Sequence, residues 1–282
     1  MEKVKIMVAC HKPGPVYHDE IYTPVHVGRA ISKFTDEMTD MIGDDTGDNI
    51  SKKNEHYCEL TAQYWVWKNY HDVEFIGFCH YRRFFNISIT KNNVHSLFRD
   101  TDVIMVGVKT KEIVERDMVH YITMEDITIF LMVLKSLYPE YEQDTINYFW
   151  GNHLYHKNML ICRKELFDQY AEWLFGILTE CEKYIRLSPY ARARRVFGYL
   201  GEFFMPIFFI HNKCRIKNVK SVDNVGEDTT INLKERIADV AKDSLHRLMK
   251  PYLKKPISFE DYYLPEVLVG FKQDGIDPRE NQ

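Results

Sequence analysis

The chain has 282 residues, of which 45% are hydrophobic and 14% aromatic, enough apolar material for one large domain or two small ones. Its 37 basic and 41 acidic residues give a net charge of −4, which excludes a general nucleic-acid binder that depends on a basic surface. The sequence contains no run of about 18 apolar residues, so no membrane span is predicted, and the N-terminus lacks the apolar segment of a signal peptide. Six cysteines without a Cys-x-x-Cys pair predict reduced, buried thiols. We therefore expect a cytoplasmic protein, working in solution or against the inner face of the membrane.

The first half of the chain alternates between strand and helix patterns. Short apolar runs bounded by polar or turn residues predict strands, and four side chains at helical spacing (Tyr57, Leu60, Tyr64 and Trp67) predict a helix within 51–70. Ser51 stands where the N-cap of that helix is expected. The predicted strands are Val4–Cys10, Tyr22–Val27, Phe75–Cys79 and Asp102–Val108.

The second half is mainly helical. The predicted helices are Glu125–Tyr138, Glu140–Phe149, Glu165–Tyr184 and Phe197–Ile210, the last broken near Pro206, with a short strand at Asn158–Cys162. A charged helix is predicted near Leu233–Met249. The alternation predicts an α/β fold with a mostly parallel sheet flanked by helices. We place one domain at 1–217 and a C-terminal helical extension and tail at 218–282.

Two polar segments directly follow predicted strands. His11 and Lys12 follow the first strand, and the sequence His80-Tyr81-Arg82-Arg83 follows Phe75–Cys79. Ligands of open α/β sheets bind outside the carboxyl ends of the strands. Two adjacent guanidinium groups suit a diphosphate, although surface ion pairs would use the same residues.

The segment 43–54 leads into the first predicted helix and offers two interpretations. Lys52 and Lys53 in a first helical turn oppose the helix dipole by about 0.3–1 kcal/mol each, which an anion bound at the helix N-terminus would offset. Alternatively, both lysines are simply solvated. Asp44 and Asp48 also fit a calcium loop, but Asn49 occupies the position where that loop needs glycine.

Two later segments carry further candidate side chains. The aromatic and amide side chains of 150–158 suit sugar binding, whereas His153 and His156 lack a zinc motif. Glu202 lies in a very apolar segment, where its carboxylate suits a base, a helix cap or an ion-pair partner of nearby arginines. The sequence contains no phosphate-binding P-loop, no GxGxxG after the first strand and no GxSxG elbow.

Several blocks together carry a family resemblance. They are 47–69 (Gly-Asp-Asn-Ile-Ser-x-Lys-Asn through Tyr-Trp-x-Trp-Lys-Asn), 77–85 with His-Tyr-Arg-Arg, His11-Lys12-Pro13, Asn158-Met159-x-Ile161, and 195–202. Over about residues 4–212, the chain resembles a bacterial family of capsular-polysaccharide and lipopolysaccharide O-antigen synthesis proteins. The family was long classed as a domain of unknown function, and some members are regarded as β-galactofuranosyltransferases.

The resemblance implies a GT-A-like glycosyltransferase with a Rossmann-like nucleotide-sugar domain. Such an enzyme transfers a sugar, galactofuranose in some members, from a UDP-sugar to a lipid-linked or growing glycan by an inverting single displacement. On this basis, Glu202 is the expected catalytic base, with Asp48 as second candidate. The expected donor-binding residues are His11, Lys12, Asn49, Lys53, Asn54, His80, Tyr81, Arg82 and Arg83. The expected acceptor-binding residues are Trp150, Asn152, His153 and Tyr155.

One departure from the wider GT-A pattern concerns the metal. An Asp-x-Asp motif is expected at the end of a central strand, and His80-Tyr81-Arg82-Arg83 occupies that place here. We therefore expect cationic side chains, rather than a metal, to neutralise the leaving diphosphate. Binding of a manganese or magnesium ion by Asp45 and Asp48 stays open as an alternative.

Two other functions and one further contact stay open at this stage. A non-catalytic sugar-binding or scaffold component of a capsule assembly complex would use the same aromatic segment. A sugar-phosphate transferase or hydrolase would use the same cations. The basic stretches 192–195 and 250–255 suit a peripheral contact with anionic lipid or with the assembly machinery, and no nucleic-acid partner is expected.

Overall fold

The computed structural model describes residues 2–107, 109–110, 113–225 and 233–281. The chain forms two compact units, each assembled from three segments. Unit 1 comprises Met1–Gly107, Tyr155–Glu172 and Asn212–Thr230; unit 2 comprises Val108–Leu154, Trp173–His211 and Ile231–Gln282. The domain boundary expected between 217 and 218 stays a prediction, although a strand of unit 1, Ile216–Val219, spans that position.

Within the described residues, the strands form one large sheet and two small ones. They are β1 (Glu2–Cys10), β2 (Tyr22–His26), β3 (Ile42–Gly43), β4 (Val73–His80), β5 (Phe84–Phe85), β6 (Val103–Val106), β7 (Lys109–Thr110), β8 (His153–Leu154), β9 (Leu160–Arg163), β10 (Ile216–Val219) and β11 (Ser221–Val222). The seven-stranded sheet of unit 1 has the order β10-β6-β9-β4-β1-β2-β3. The remaining pairs are β11-β5 and β7-β8.

The large sheet is parallel except for β9. Strands β1 to β4 pair in parallel, as do β10 and β6, whereas β9 is antiparallel to both β4 and β6. Six strands therefore share one direction, which confirms the predicted mostly parallel sheet. Their carboxyl ends meet at one edge, called here the carboxyl edge.

Alternating side chains explain why this sheet is buried on both faces. Val4, Ile6 and Val8 on one face of β1 are at most 1% exposed and belong to the same cluster as Phe75 of β4. On the other face, the ring of Phe78 packs 4.8 Å from that of Phe167. Each such side chain contributes about 1.5–3 kcal/mol relative to exposure. Continuous apolar runs are the expected sequence pattern for strands covered on both faces.

The helices follow the predicted positions with two corrections. They are α1 (Asn54–Tyr57), α2 (Leu60–Asn69), α3 (Val94–Leu97), α4 (Val114–Met118), α5 (Met124–Leu137), α6 (Glu142–Phe149), α7 (Lys164–Cys181), α8 (Val196–His211), α9 (Leu233–Met249) and α10 (Pro265–Asp274). In the described part of the segment 218–282 the helices are α9 and α10, which follow the strands β10 and β11. None of the helices in the described ranges combines the length and hydropathy that a bilayer crossing requires.

The first correction concerns the helix predicted within 51–70. The chain begins there with a 3-10 turn at Ser51–Lys53, and Cys58, with φ of 53°, separates α1 from α2. The Asn54 side chain spans this break by donating to the Cys58 carbonyl at 2.7 Å and to the Thr61 hydroxyl at 3.0 Å. Ser51 makes no capping hydrogen bond, so its predicted N-cap role is wrong.

The second correction concerns Pro206, which lies inside a continuous α8 instead of breaking it. Proline removes the N–H that would bond to the carbonyl of Glu202, four residues earlier. The neighbouring side chains are buried, and the ring of Phe204 packs 3.6 Å from that of Phe130. Tertiary packing therefore maintains the helix despite the lost hydrogen bond.

The prediction of buried thiols holds for four of the six cysteines, whereas Cys58 and Cys214 are half-buried. All six thiols are unpaired, and those of Cys10, Cys79, Cys162 and Cys181 are buried. Burial raises the pKa of the Cys10 thiol to about 12 and raises the pKa of the Cys79 thiol well above its ordinary value. These groups are therefore protonated, and they serve as small apolar side chains of the core.

Candidate active site

The carboxyl edge of the unit 1 sheet collects the loops that follow β1, β2, β3 and β4. The register places Ala9 beside His80, and Cys10 beside His26. Because β9 runs in the opposite direction, the residues that precede it also reach this edge. The two polar segments that the sequence places after strands therefore occupy the edge where α/β proteins bind ligands.

Tyr81 connects the ends of β1 and β4. Its backbone N–H donates to the carbonyl of Ala9 at 3.2 Å, and its ring meets the ring of His11 edge to face at 5.4 Å. The guanidinium of Arg82 lies over the same ring, 4.9 Å from its centre. The predicted donor-binding residues His11, Tyr81 and Arg82 therefore form one contact group, and Lys12 follows directly in the loop.

A tight turn presents the two arginines. The backbone N–H of Arg83 donates to the carbonyl of His80 at 3.0 Å, and the N–H of His80 donates back to Arg83. Both arginine side chains are exposed. Among the described residues, neither side chain has a carboxylate partner. The alternative that these arginines form ion pairs is therefore not met among the described residues, and both guanidinium groups remain available to bind an oxyanion.

The imidazole of His80 points at a second turn. Its Nε2 lies 2.7 Å from the carbonyl of Lys157 and 4.0 Å from Oε1 of Glu59. A carbonyl only accepts hydrogen bonds, so this contact requires the tautomer with a proton on Nε2. The turn residues Lys157 and Asn158 have φ of 81° and 48°, which is rare for two consecutive residues other than glycine.

Side chains from the α2 region hold this strained turn in place. Oε1 of Glu59 accepts from Nδ2 of Asn158 at 2.8 Å, and Nε2 of Gln63 donates to the Asn158 carbonyl at 3.1 Å. Such backbone conformations cost about 1–3 kcal/mol each and persist where surrounding contacts fix them. We missed Glu59, Gln63 and Lys157 as site residues, although Glu59 and Asn158 stand inside the blocks that carry the family resemblance.

Asp44 organises the loop after β2. This buried carboxylate accepts from the backbone N–H groups of Gly28 at 2.8 Å and Arg29 at 3.1 Å, and from the hydroxyl of Ser51 at 2.5 Å. The Ser51 hydroxyl accepts in turn from the N–H of Ala30. Asp44 and Ser51 are thus used internally, and the short 3-10 turn at Ser51–Lys53 gives no support to an anion site at a helix N-terminus.

Three other residues of this segment bind nearby protein groups. Nδ2 of Asn49 donates to the Gly47 carbonyl at 2.9 Å, and Asn54 holds the break between α1 and α2. Oδ1 of Asp48 accepts from the hydroxyl of Tyr64 at 3.2 Å. Lys53 is exposed, with its ammonium 5.9 Å from the centre of the Tyr57 ring. Donor contact by Asn49, Asn54 and Lys53 stays a prediction.

Metal binding by the carboxylates of this loop, expected as an alternative for Asp45 and Asp48, stays a prediction. Those of Asp44 and Asp48 already accept hydrogen bonds from protein donors. In the part of the chain that the structure describes, no three His, Cys, Asp or Glu side chains are grouped as metal ligands.

Unit 2 contains four of the other candidates. Trp150 and Asn152 are nearly buried, and Nδ2 of Asn152 donates to Oδ1 of Asp243 at 2.6 Å; His153 Nε2 lies 3.6 Å from the same oxygen. Glu202 is half-buried in the interior of α8, so its alternative role as a cap at the helix start is wrong. Tyr155, the remaining acceptor candidate, belongs to unit 1.

The family described as Domain of unknown function (DUF4422) matches residues 5–213. The chain belongs to this family. DUF4422 thus covers the strands and helices from β1 to α8, including every candidate named above except Asp243. No curated protein matches the chain significantly.

A solved structure gives the DUF4422 fold a functional context. The chain is similar to the apo structure of the WbbM bifunctional glycosyltransferase, with a TM-score of 0.69 and 28% sequence identity. The match covers 82% of this chain and 47% of that chain, so this chain corresponds to less than half of WbbM. The topology of the sheet and this similarity show a GT-A-like α/β fold.

Proposed function

We propose that this DUF4422 chain is a cytoplasmic glycosyltransferase that transfers a sugar from a UDP-sugar to a growing bacterial surface polysaccharide. The observation that carries the proposal is the pair of exposed arginines, Arg82 and Arg83, on the turn after β4 at the carboxyl edge. The similarity to a bifunctional glycosyltransferase supports the reaction class. The donor sugar that we propose first is galactofuranose, as implied by the family resemblance.

The proposed chemistry assigns the leaving diphosphate to the cations of this turn. Negative charge develops on the diphosphate as its bond to the anomeric carbon breaks, and donors fixed beforehand stabilise that charge. Arg82 is already oriented by the Tyr81 ring, and His11 packs on the same ring. We propose that Arg82 and Arg83 replace the metal ion of other GT-A enzymes. Transfer that persists after exhaustive chelation supports this; complete loss restored only by manganese or magnesium contradicts it.

The proposed mechanism is an inverting displacement with a carboxylate base. The base takes the proton of the acceptor hydroxyl while the hydroxyl oxygen attacks the anomeric carbon and UDP departs. Glu202 is our first candidate and Asp48 the second; the hydrogen bond from Tyr64 occupies one oxygen of Asp48. Glu202→Gln should abolish transfer and leave UDP binding nearly unchanged. Lost UDP binding with residual transfer would reverse that assignment.

The proposed acceptor is a lipid-linked or growing oligosaccharide. Trp150, Asn152, His153 and Tyr155 remain the proposed acceptor residues. The hydrogen bond to Asp243 leaves Asn152 its amide oxygen as an acceptor for a sugar hydroxyl.

The decisive experiment measures products and binding together. The purified chain is incubated with a panel of UDP-sugars and lipid-linked acceptors, and products are identified by mass spectrometry, while UDP binding is followed by thermal shift. The double variant Arg82→Ala/Arg83→Ala should lose both signals. Arg99→Ala, which removes another exposed arginine of unit 1, is the matched control and should lose neither.

Each result that contradicts the proposal would favour a different function. No stabilisation by UDP and no product would favour the non-catalytic scaffold. Transfer of a phosphosugar, or release of phosphate, would favour the sugar-phosphate enzyme.

A further inference from the structure

Helix α9 belongs to unit 2 and contacts the rest of that unit through polar side chains. Asp243 accepts from Asn152 at 2.6 Å and lies 3.6 Å from Nε2 of His153, and His246, one turn further on, is 8% exposed. The helix also contacts the short strand β7. The most buried described side chain of this helix is therefore an imidazole, with the Asp243 carboxylate and Met249 half-buried one turn to either side.

The opposite side of α9 presents an apolar stripe to solvent. Ile237, Val240, Leu245 and Leu248 are 40–69% exposed. With Ala241 and Ser244, they recur at i, i+3, i+4, i+7, i+8 and i+11, which places them in one row along the helix. We call this row the outward stripe. A surface helix normally turns such a row toward the core, so its orientation here is inverted.

The segment after α9 also exposes large apolar side chains to solvent. The 3-10 turn Lys250–Tyr252 exposes 90% of Tyr252, and Ile257 is 79% exposed. Contiguous exposed apolar surface of this kind normally marks an interaction site. The outward stripe and this turn are therefore unlike the single exposed aliphatic residues found elsewhere in the molecule.

Basic residues are frequent in the segment of the chain that carries this surface. Between residues 237 and 255 the chain has five basic side chains and two acidic ones, although its net charge as a whole is −4. One of the two acids, Asp243, is engaged by Asn152. The basic residues are Lys242, Arg247, Lys250, Lys254 and Lys255, and the last of these donates to Oδ1 of Asn147 at 2.6 Å. A helix with an exposed apolar row, with exposed cations on and after it and an exposed tyrosine in the following turn, is complementary to the boundary between anionic head groups and acyl chains.

We propose that the outward stripe of α9, with the turn that follows it, docks onto an anionic lipid bilayer. The helix would lie in the plane of the interface, with Ile237 and Leu248 among the acyl chains and the lysines at the head groups. A second copy of the chain is a poorer occupant, because it would bring the same cations together. The inference is independent of the proposed enzymatic activity.

The experiment is co-sedimentation of the full chain with lipid vesicles. Phosphatidylcholine vesicles with about 30 mol% phosphatidylglycerol should bind the protein, and phosphatidylcholine alone should bind it far less. Ile237→Gln/Leu248→Gln should lower the partition coefficient at least about tenfold. Lys250→Glu/Lys254→Glu should remove the preference for anionic vesicles. Val269→Gln, which changes an exposed aliphatic residue of α10, should behave like the wild type.

Three results would overturn the proposal. The first is absence of wild-type binding to anionic vesicles. The second is an equal loss of binding by Val269→Gln. The third is a dimer in solution that Ile237→Gln/Leu248→Gln dissociates, which would assign the stripe to a second copy. If the helix variants fail to fold in a thermal melt, Tyr252→Ser/Ile257→Gln tests the same surface outside the helix and should also weaken binding.

Discussion

The side-chain amide of Asn158 donates a 2.8 Å hydrogen bond to Glu59, a residue 99 positions earlier in the chain. Asn158 has φ of 48°, and its neighbour Lys157 offers its carbonyl to the imidazole of His80. This hydrogen bond therefore connects the strained turn before β9 to the α2 region. The same turn contacts His80, the first residue of the His80–Arg83 group, through the Lys157 carbonyl. Glu59 and Asn158 are positioning residues for that group.

The backbone conformation at residue 158 gives the first prediction. Asn158→Ala and Asn158→Gly both lose the hydrogen bond to Glu59, but only alanine bears the steric cost of a left-handed conformation, about 1–2 kcal/mol. Urea unfolding should therefore give a lower free energy of unfolding for Asn158→Ala than for Asn158→Gly. Equal values would show that the turn relaxes to another conformation in the variants.

A pair of glycines gives the second prediction. Gly28 has φ of 67°, and a Cβ there would lie 2.6 Å from the Cβ of Asn54, whereas a Cβ at Gly270 in α10 meets no atom within 4 Å. Gly28→Ala should lower the free energy of unfolding by about 1–3 kcal/mol. Gly270→Ala should leave it unchanged or raise it by about 0.4–1 kcal/mol. Differential scanning calorimetry measures both, and similar melting temperatures for the two variants would contradict this account.

His26 gives the third prediction, which concerns pH. The imidazole is fully buried, and neither ring nitrogen has a hydrogen-bond partner among the described residues. Burial lowers its pKa below the ordinary 6.5, assisted by Arg29 and opposed by Asp44 and Asp45. The unfolded chain therefore binds the proton more readily, so His26 should reduce stability as pH falls below about 6.5.

The variant His26→Phe isolates that contribution. It keeps a ring and removes the titrating group, so its melting temperature should fall less between pH 7 and pH 5.5 than that of the wild type. Tyr22→Phe is a suitable control because it changes another buried ring without touching a histidine. A parallel decline in the wild type and in His26→Phe would assign the acid sensitivity to other groups.

The fourth prediction tests geometry against charge at the proposed diphosphate site. Arg83→Lys keeps the positive charge and loses the planar pair of donors. UDP should bind about tenfold more weakly to this variant than to the wild type, and more weakly still to Arg83→Ala. Isothermal titration calorimetry measures both constants, with Arg99→Lys as control. If Arg83→Lys binds UDP as tightly as the wild type, the site uses charge alone.

Local pattern was sufficient for most of the elements. The runs that became β1, β4 and β6 are apolar over several residues because these strands are covered on both faces, and that property is visible in the sequence. Ser51 was misassigned because a serine before a helical pattern has the same local context whether it caps the helix or, as here, binds a buried aspartate. Pro206 was misassigned because packing around α8 outweighs a local helix breaker.

The candidate site was predictable only in part. The His80–Arg83 segment follows a strand, so its position at the carboxyl edge could be inferred from chain order alone. The contacts of Glu59 with Asn158, and of Tyr81 with His11, join residues that are distant in the chain. The periodicity of a sequence does not reveal such pairs. Only the family resemblance groups the sequence segments that contain the two members of each pair.

The position of β9 has a consequence for how the sheet is completed during synthesis. Strands β4 and β6 do not hydrogen-bond to each other, because β9 lies between them. A nascent chain that ends before Leu160 therefore carries two internal strand edges with unsatisfied amides and carbonyls, the kind of surface that recruits other chains. Ribosome-bound intermediates shorter than about 160 residues should consequently depend on chaperones. Insertion of β9 should then join β4 to β6, before β10 pairs with the other edge of β6.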